Sequence, residues 1–280
     1  MKTKRVIARL DVKNEALVKG IHLEGLRVLG KPELFAQHYY EDGVDELLFM
    51  DVVASLYGRN GLVELVKTTA KNIFVPLTVG GGVRNATDVR TLLHSGADKI
   101  AINTAAVKSP ALVKELADTF GSSTIAVAIE TIKDSAGNYM AYIDNGREPT
   151  GLNAIEWAQR VQSLGAGEII LTSVDREGTG KGMDLDLIRM LQAEVSIPVV
   201  AHGGVGRAED MVAVFEQTGV DAICAASIYH YDTITRMDTQ ALSVRGNTSF
   251  LNSGSIKKNL SPTSVSATKD ILRRNGVNVR

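Results

Sequence analysis

Residues 77–107 read LTVGGGVRNATDVRTLLHSGADKIAINTAAV. An apolar run gives way to Gly80, Gly81 and Gly82, then to apolar residues at helical spacing, then to a second apolar run ending at Asn103 and Thr104. The pattern is strand, glycine turn, helix, strand. Glycines at the carboxyl end of a strand let backbone N–H groups approach an anion, and Thr104 adds a hydroxyl there. Residues 200–227, VAHGGVGRAEDMVAVFEQTGVDAICAAS, repeat the pattern: Gly203, Gly204 and Ser227 take the places of Gly81, Gly82 and Thr104. Two such units in one chain suit a molecule with a phosphate at each end.

The chain around them continues the alternation. Strands are predicted over 5–10, 46–51, 74–79, 99–102, 124–130, 168–173, 198–202 and 222–226, with amphipathic helices over 61–72, 86–95, 110–120, 154–164 and 185–195. Eight strand–helix pairs imply parallel strands closed into a single α/β domain over residues 1–280, a (β/α)8 TIM barrel. Gly43-Val44-Asp45-Glu46 and Gly165-Ala166-Gly167-Glu168 stand as far apart as the two glycine turns. This spacing predicts two repeated half-barrels, about 1–122 and 123–280. Residues 12–31 read as a mobile lid and about 240–260 as an irregular insertion. A last helix is predicted with Ser261 as N-cap, Pro262 in its first turn, an end near Arg274 and Gly276 closing it.

Composition narrows the function. Lys and Arg number 31 against 32 Asp and Glu, so nucleic acid is not the expected partner. The apolar fraction of 44% allows a large core, and no stretch reaches the length of a membrane span. Cys224 is the single cysteine, which points to a reducing, cytoplasmic setting and a buried apolar role. No histidine or cysteine spacing suggests a metal.

In such a barrel, working groups sit at the carboxyl ends of the strands. Asp11 and Glu130 end strands one and five at equivalent points, on opposite sides of the mouth, where a carboxyl pair suits general acid–base work or simple loop capping. One phosphate site would use Gly81, Gly82, Asn103 and Thr104. The other would use Gly178, Thr179, Gly203, Gly204 and Ser227. Thr172, Asp175 and Glu177 can bond a sugar portion or hold their loop. Lys19 can close over a phosphate from the first connection or stay solvated, and His202 can donate to the second phosphate or fill the mouth. At the opposite face, Arg5, Glu46, Lys99 and Glu168 start strands one, two, four and six and would form a charged ring, read from the residues as a salt-bridge plug.

Taken together, LDVKNEALVKG, VDELLFMDVVAS, VGGGVRN, GADKIAINTAAV, FGSS, GAGEIILTSVDREGTGKG and the terminal NGVNVR resemble the cyclase subunit family of imidazole glycerol phosphate synthase, across nearly the whole chain. The resemblance implies a lyase of histidine biosynthesis without a cofactor. Ammonia attacks a phosphoribulosyl-formimino aminoimidazole carboxamide ribonucleotide, giving imidazole glycerol phosphate and aminoimidazole carboxamide ribonucleotide. It further implies Asp11 and the residue at 130 as acid and base, and Lys19 on a mobile loop. A glutaminase partner would dock at the amino face and send ammonia past the Arg5, Glu46, Lys99 and Glu168 ring as a gate.

The chain departs from the family pattern at four places. Glu130 and Glu177 replace aspartates, His202 replaces a serine and Arg9 fills a normally small position. Such departures also occur in paralogous barrels that pass ammonia to a sugar amidotransferase for surface polysaccharides. A barrel that binds a bisphosphate without turnover and regulates a partner is a further alternative.

Overall fold

The computed structural model describes residues 3–54, 62–237 and 258–280. The insertion expected at about 240–260 lies outside the described residues up to 257. Eight parallel strands form the barrel: β1 (Arg5–Lys13), β4 (Glu46–Asp51), β5 (Leu77–Gly80), β6 (Lys99–Ile102), β7 (Ile125–Lys133), β10 (Glu168–Ser173), β11 (Val199–His202) and β12 (Ala222–Ala225). They pair in that order, β12 pairs with β1, and the β7–β10 pairing completes the ring.

Helices follow the strands on the outside: α1 (Pro32–Glu41), α2 (Val63–Thr69), α3 (Ala86–His94), α4 (Thr104–Lys108), α5 (Ala111–Phe120), α6 (Ala154–Ser163), α7 (Leu185–Glu194), α8 (Ala208–Thr218), α9 (Ser227–Arg236) and α10 (Val265–Arg274). Several begin where a short polar side chain can take an orphan helical N–H: Asn85 accepts from Asp88, Asn153 from Ile155 and Glu156, and Asp184 from Leu187.

Strand alternation sorts the barrel residues into two clusters. Val6, Ala8, Leu10 and Val12 of β1 face the helices, in one cluster with Leu47, Phe49, Val127, Ile129, Ile169 and Leu171. Ile7 faces inward with Leu48, Met50, Ala101, Ala126, Ala128, Ile170, Val200, Ala222 and Cys224. Both faces of a parallel strand are therefore buried, which is why the strands read as near-continuous apolar runs. Arg5, Arg9 and Asp11 share the inward register of Ile7.

A Gly-x-Asp motif recurs at Gly43-Val44-Asp45, Gly96-Ala97-Asp98 and Gly219-Val220-Asp221, with Gly165-Ala166-Gly167 as a fourth, altered copy. Asp45 Oδ2 accepts the Val6 N–H at 2.7 Å, Asp98 Oδ2 the Leu77 N–H at 2.8 Å, and Asp221 Oδ2 the Val199 N–H at 3.2 Å. Each carboxylate satisfies a backbone donor at the start of a neighbouring strand. In the fourth copy Gly167 replaces the aspartate, because a Cβ there would collide with the Ser122 carbonyl.

Three expectations need correction. β1 and β7 do not end at Asp11 and Glu130; they run on and pair antiparallel with β2 (Ala16–Ile21) and β8 (Tyr139–Ile143). Residues 12–31 accordingly form a hairpin of β2 and β3 (Glu24–Gly30) in place of an irregular connection, since Leu17, Val18 and Leu29 are apolar enough to bury an edge. A second hairpin, β8 and β9 (Glu148–Asn153), stands at the matched place on β7. Third, α10 is capped by Ser264, which accepts the Ala267 N–H at 3.1 Å, rather than by Ser261. Asp42 also receives the Val265 and Ser266 N–H groups, which fixes the helix start three residues later than expected.

Candidate functional site

The two hairpins stand at the carboxyl end of the barrel, and the candidate residues lie beneath them. Asp11 pairs with Val18 of β2, and Glu130 with Tyr142 of β8, so each carboxyl sits where its strand leaves the barrel and meets its hairpin. Both are buried. Arg9, one inward step below Asp11, is 2% exposed and donates from Nε to Asp11 Oδ1 at 2.7 Å. Its Nη1 lies 3.3 Å from Thr172 Oγ1 and 3.3 Å from His202 Nδ1, while Nη2 is buried with no partner among the described residues. Burial works against the guanidinium charge, but the Asp11 carboxylate outweighs it and keeps Arg9 cationic.

Among the described residues Glu130 has no such cation bonded to it, and its carboxyl accepts only the Gly146 N–H, at 2.8 Å. Burial raises its pKa to about 7, against the pull of Arg9 and Gly146, and the nearby Asp11 and Asp144 push the same way as burial. One carboxyl therefore titrates in the neutral range beside another held by a cation, an arrangement that separates acid from base.

Lys19 is not a solvated loop side chain. It lies on β2, is buried, and forms an ion pair with Glu177, which also accepts the Leu23 N–H at 3.0 Å. Burial alone would raise the Glu177 pKa, but the Lys19 charge holds it below the ordinary value. His202 is pulled well below its usual pKa, chiefly by burial and then by Arg9 and Lys19. It is therefore a neutral ring whose Nδ1 accepts from Arg9 and Thr172.

The two glycine turns have the same local geometry. Gly81 and Gly203 take φ of +104° and +102°, and a Cβ on either would stand 2.5 Å from a carbonyl oxygen, that of Asp51 or of Ser173. Only glycine fits where the turn crosses the end of the preceding strand. Around them the sites differ. A cavity of about 180 Å³ opens on Gly81, Gly82, Asn103 and Thr104 and reaches Glu130. The space bounded by Gly178, Gly203, Gly204, Ser227, His202 and Lys19 holds only about 10 Å³. Asp175 and Thr179 do not reach it: Asp175 is exposed and accepts the Lys133 N–H at 2.8 Å, and the Thr179 hydroxyl donates to the Arg176 carbonyl at 2.6 Å. Asp175 ties its loop to β7, and Thr179 holds its own turn.

Some residues at the site escaped the sequence reading. Asp51, Arg84, Lys108 and Asn145 line the first cavity, and burial raises the Asp51 pKa. The β8–β9 hairpin carries a signal that could have found it: Tyr139, Ala141 and Ile143 alternate in burial before an Asn145-Gly146 turn.

At the amino face the four expected charges do meet. Arg5 bonds Glu46 at 2.7 Å and Glu168 at 2.8 Å, and Lys99 bonds Glu168 at 3.0 Å and Glu46 at 3.4 Å. Burial opposes the Arg5 charge, but Glu168 and Glu46 together raise its pKa above the usual value. Among the described residues no helix is long and apolar enough to cross a membrane.

The family model described as histidine biosynthesis protein matches residues 5–235. This chain belongs to that family. Within the histidine biosynthesis protein family, the imidazole glycerol phosphate synthase subunit HisF of Legionella pneumophila is 53% identical over 210 residues, covering 75% of this chain and 99% of the relative. The HisF subunit of Bacillus cereus is 47% identical over 240 residues, covering 86% and 95%. Both family relatives are named as subunits of a synthase.

Proposed function

We propose that this chain is the cyclase subunit of an imidazole glycerol phosphate synthase. It cleaves and cyclises the phosphoribulosyl-formimino aminoimidazole carboxamide ribonucleotide with ammonia, giving imidazole glycerol phosphate and aminoimidazole carboxamide ribonucleotide in histidine biosynthesis. The observation that carries the reading is the pair of unlike carboxyls under the two hairpins, with a glycine turn of matched geometry on either side.

In this reading Gly81, Gly82, Asn103 and Thr104 hold one phosphate, and Gly178, Gly203, Gly204 and Ser227 the other. Asp11, which accepts a hydrogen bond from the Arg9 guanidinium at 2.7 Å, takes the proton released as ammonia adds. Glu130, with a pKa near 7, gives a proton to the departing nitrogen. Thr172 and the neutral His202 hold Arg9 in place beneath Asp11. Lys19 answers the second phosphate by exchanging Glu177 for it. A glutaminase docks at the amino face as the source of ammonia, and the Arg5, Glu46, Lys99 and Glu168 ring gates its entry. That the relatives are named as subunits supports a partner of this kind.

The test is cyclisation of the ribonucleotide by the isolated chain with ammonium salt. Turnover that Asp11→Asn abolishes is the expected result. A chain that binds the substrate and turns none over would be left with a scaffold or regulatory role.

A further inference from the structure

The tip of the β8–β9 hairpin makes contact with three parts of the site at once. Asp144, Asn145 and Gly146 take φ of +53°, +62° and +75°, a left-handed run that Asp, Asn and Gly adopt at least cost. Thr104 Oγ1 donates to Asp144 Oδ1 at 3.1 Å and receives the Asp144 N–H at 3.2 Å. One residue earlier in the cradle, Asn103 Nδ2 donates to the Tyr142 carbonyl at 3.2 Å. The Gly146 N–H, two residues along the same turn, is the hydrogen bond that Glu130 accepts.

Asn103 and Thr104 of the first glycine cradle are therefore both engaged by the hairpin, Thr104 by a carboxylate. Asp144 is an internal anion standing on the hydroxyl that a phosphate would need. The cavity of about 180 Å³ beside it shows that an anion has room to approach Gly81 and Gly82. A phosphate taking the Thr104 proton must displace Asp144, because two anions on one donor repel. Asp144 and Gly146 are joined by a single residue in a tight turn, so moving one moves the other.

We infer that the Asp144-Asn145-Gly146 turn couples occupancy of the first phosphate cradle to the Glu130 carboxyl: phosphate at Thr104 expels Asp144 and withdraws the Gly146 N–H from Glu130. Loss of that N–H favours the protonated carboxyl, so arrival of the substrate's phosphate readies Glu130 as a donor. The charged groups facing Glu130 are Arg9 and Asp11 from β1 and Asp144 from the hairpin. A phosphate dianion arriving as Asp144 leaves keeps negative charge on that side, so withdrawal of the N–H decides the direction. By reciprocity, whatever frees Glu130 from Gly146 also tightens phosphate in the cradle. The coupling rests on the proposed function for its use, not for its measurement.

The test is a titration of the full chain with inorganic phosphate, read by amide NMR at Gly82 for the first cradle and at Gly204 for the second. Asp144→Asn keeps a residue that tolerates the left-handed turn and removes the competing charge. It is expected to tighten phosphate at Gly82 by five- to twenty-fold while leaving Gly204 unchanged. In the wild-type chain, phosphate should speed hydrogen exchange of the Gly146 amide. Unchanged or weaker affinity at Gly82 in Asp144→Asn, or unchanged Gly146 exchange in the wild type, overturns the coupling. No turnover enters these readings. A chain that passes them but fails to cyclise the ribonucleotide loses the proposed reaction alone, and one that cyclises it but fails them loses the coupling alone.

Discussion

At the amino end of the barrel Arg5 and Lys99 alternate with Glu46 and Glu168, and each charge meets two of the opposite sign. At the carboxyl end Arg9 meets Asp11, Lys19 meets Glu177, and Glu130, among the described residues, meets only a backbone N–H. Both sets are buried or nearly so, and β1 contributes to both, Arg5 at one end and Arg9 and Asp11 at the other. A closed ring of charge satisfies itself and has nothing to offer a substrate until it opens. An uneven set leaves one carboxyl free to change its protonation near neutrality, which is what proton transfer requires. The same residue types thus serve as a seal at one end and as reactive groups at the other, according to how completely they are paired.

Substitutions at each end should separate these roles, and the largest effect belongs to the carboxyl end. Asp11→Asn leaves Arg9 without its carboxylate and removes the proton acceptor. Ammonium-driven turnover should fall by about 10³-fold, at the middle of the usual range for a general base. A loss under ten-fold would move the base elsewhere. At the amino end, Lys99→Met leaves Glu46 and Glu168 sharing Arg5 alone. With the Lys99 side chain 21% exposed, urea unfolding should show a loss of about 3 kcal/mol, at the lower edge for a broken buried pair. Glutamine-driven turnover should fall further than ammonium-driven turnover, and equal losses would remove the gate.

The pH dependence sharpens the contrast at Glu130. Its folded pKa is about 7 against an ordinary 4.5, so the folded state holds the proton more tightly than the unfolded chain. That contribution to stability is complete below about 4.5 and is lost as the pH rises through 7. Between pH 5 and 8 the wild type should lose about 2 kcal/mol relative to Glu130→Gln, compared by urea unfolding at each pH. Turnover should fall above about pH 7, and Glu130→Gln should have no such limb. The smallest effect is expected at Asp175, which only holds the exposed Lys133 N–H. Asp175→Ala should cost less than about 1 kcal/mol and leave KM within two-fold, whereas a large rise in KM would return Asp175 to the substrate.

The barrel was legible because its strands are buried on both faces and its turns need glycine. Runs such as those at 100–102 and 169–171 are apolar inward and outward, and Gly81 and Gly203 fit nothing larger. The hairpins were less legible. Residues 12–31 carry enough Lys, Glu and Gly to pass for a loop, and the apolar alternation that makes them strands is only a few residues long. Asp11 and Glu130 stood out as carboxylates at strand ends, but their difference did not, because it depends on which cation tertiary packing brings near. Arg9 is close to Asp11 in sequence, and the strand period of two puts both on one face. Lys19 and Glu177 are far apart in the chain, so no local spacing announces their pairing.

One more consequence lies in β1. Arg5, Ile7, Arg9 and Asp11 occupy successive inward places on a single extended segment, and at roughly 3.3 Å per residue Arg5 and Asp11 stand about 20 Å apart. That span is set by bond lengths rather than by how helices settle around the barrel, so β1 works as a ruler between entrance and reaction. Inserting one residue between Val6 and Ala8 would rotate everything beyond it by half a period. It would push Arg9 and Asp11 out among the helices and Ala8 and Leu10 into the polar centre, so the length of this strand tolerates no drift.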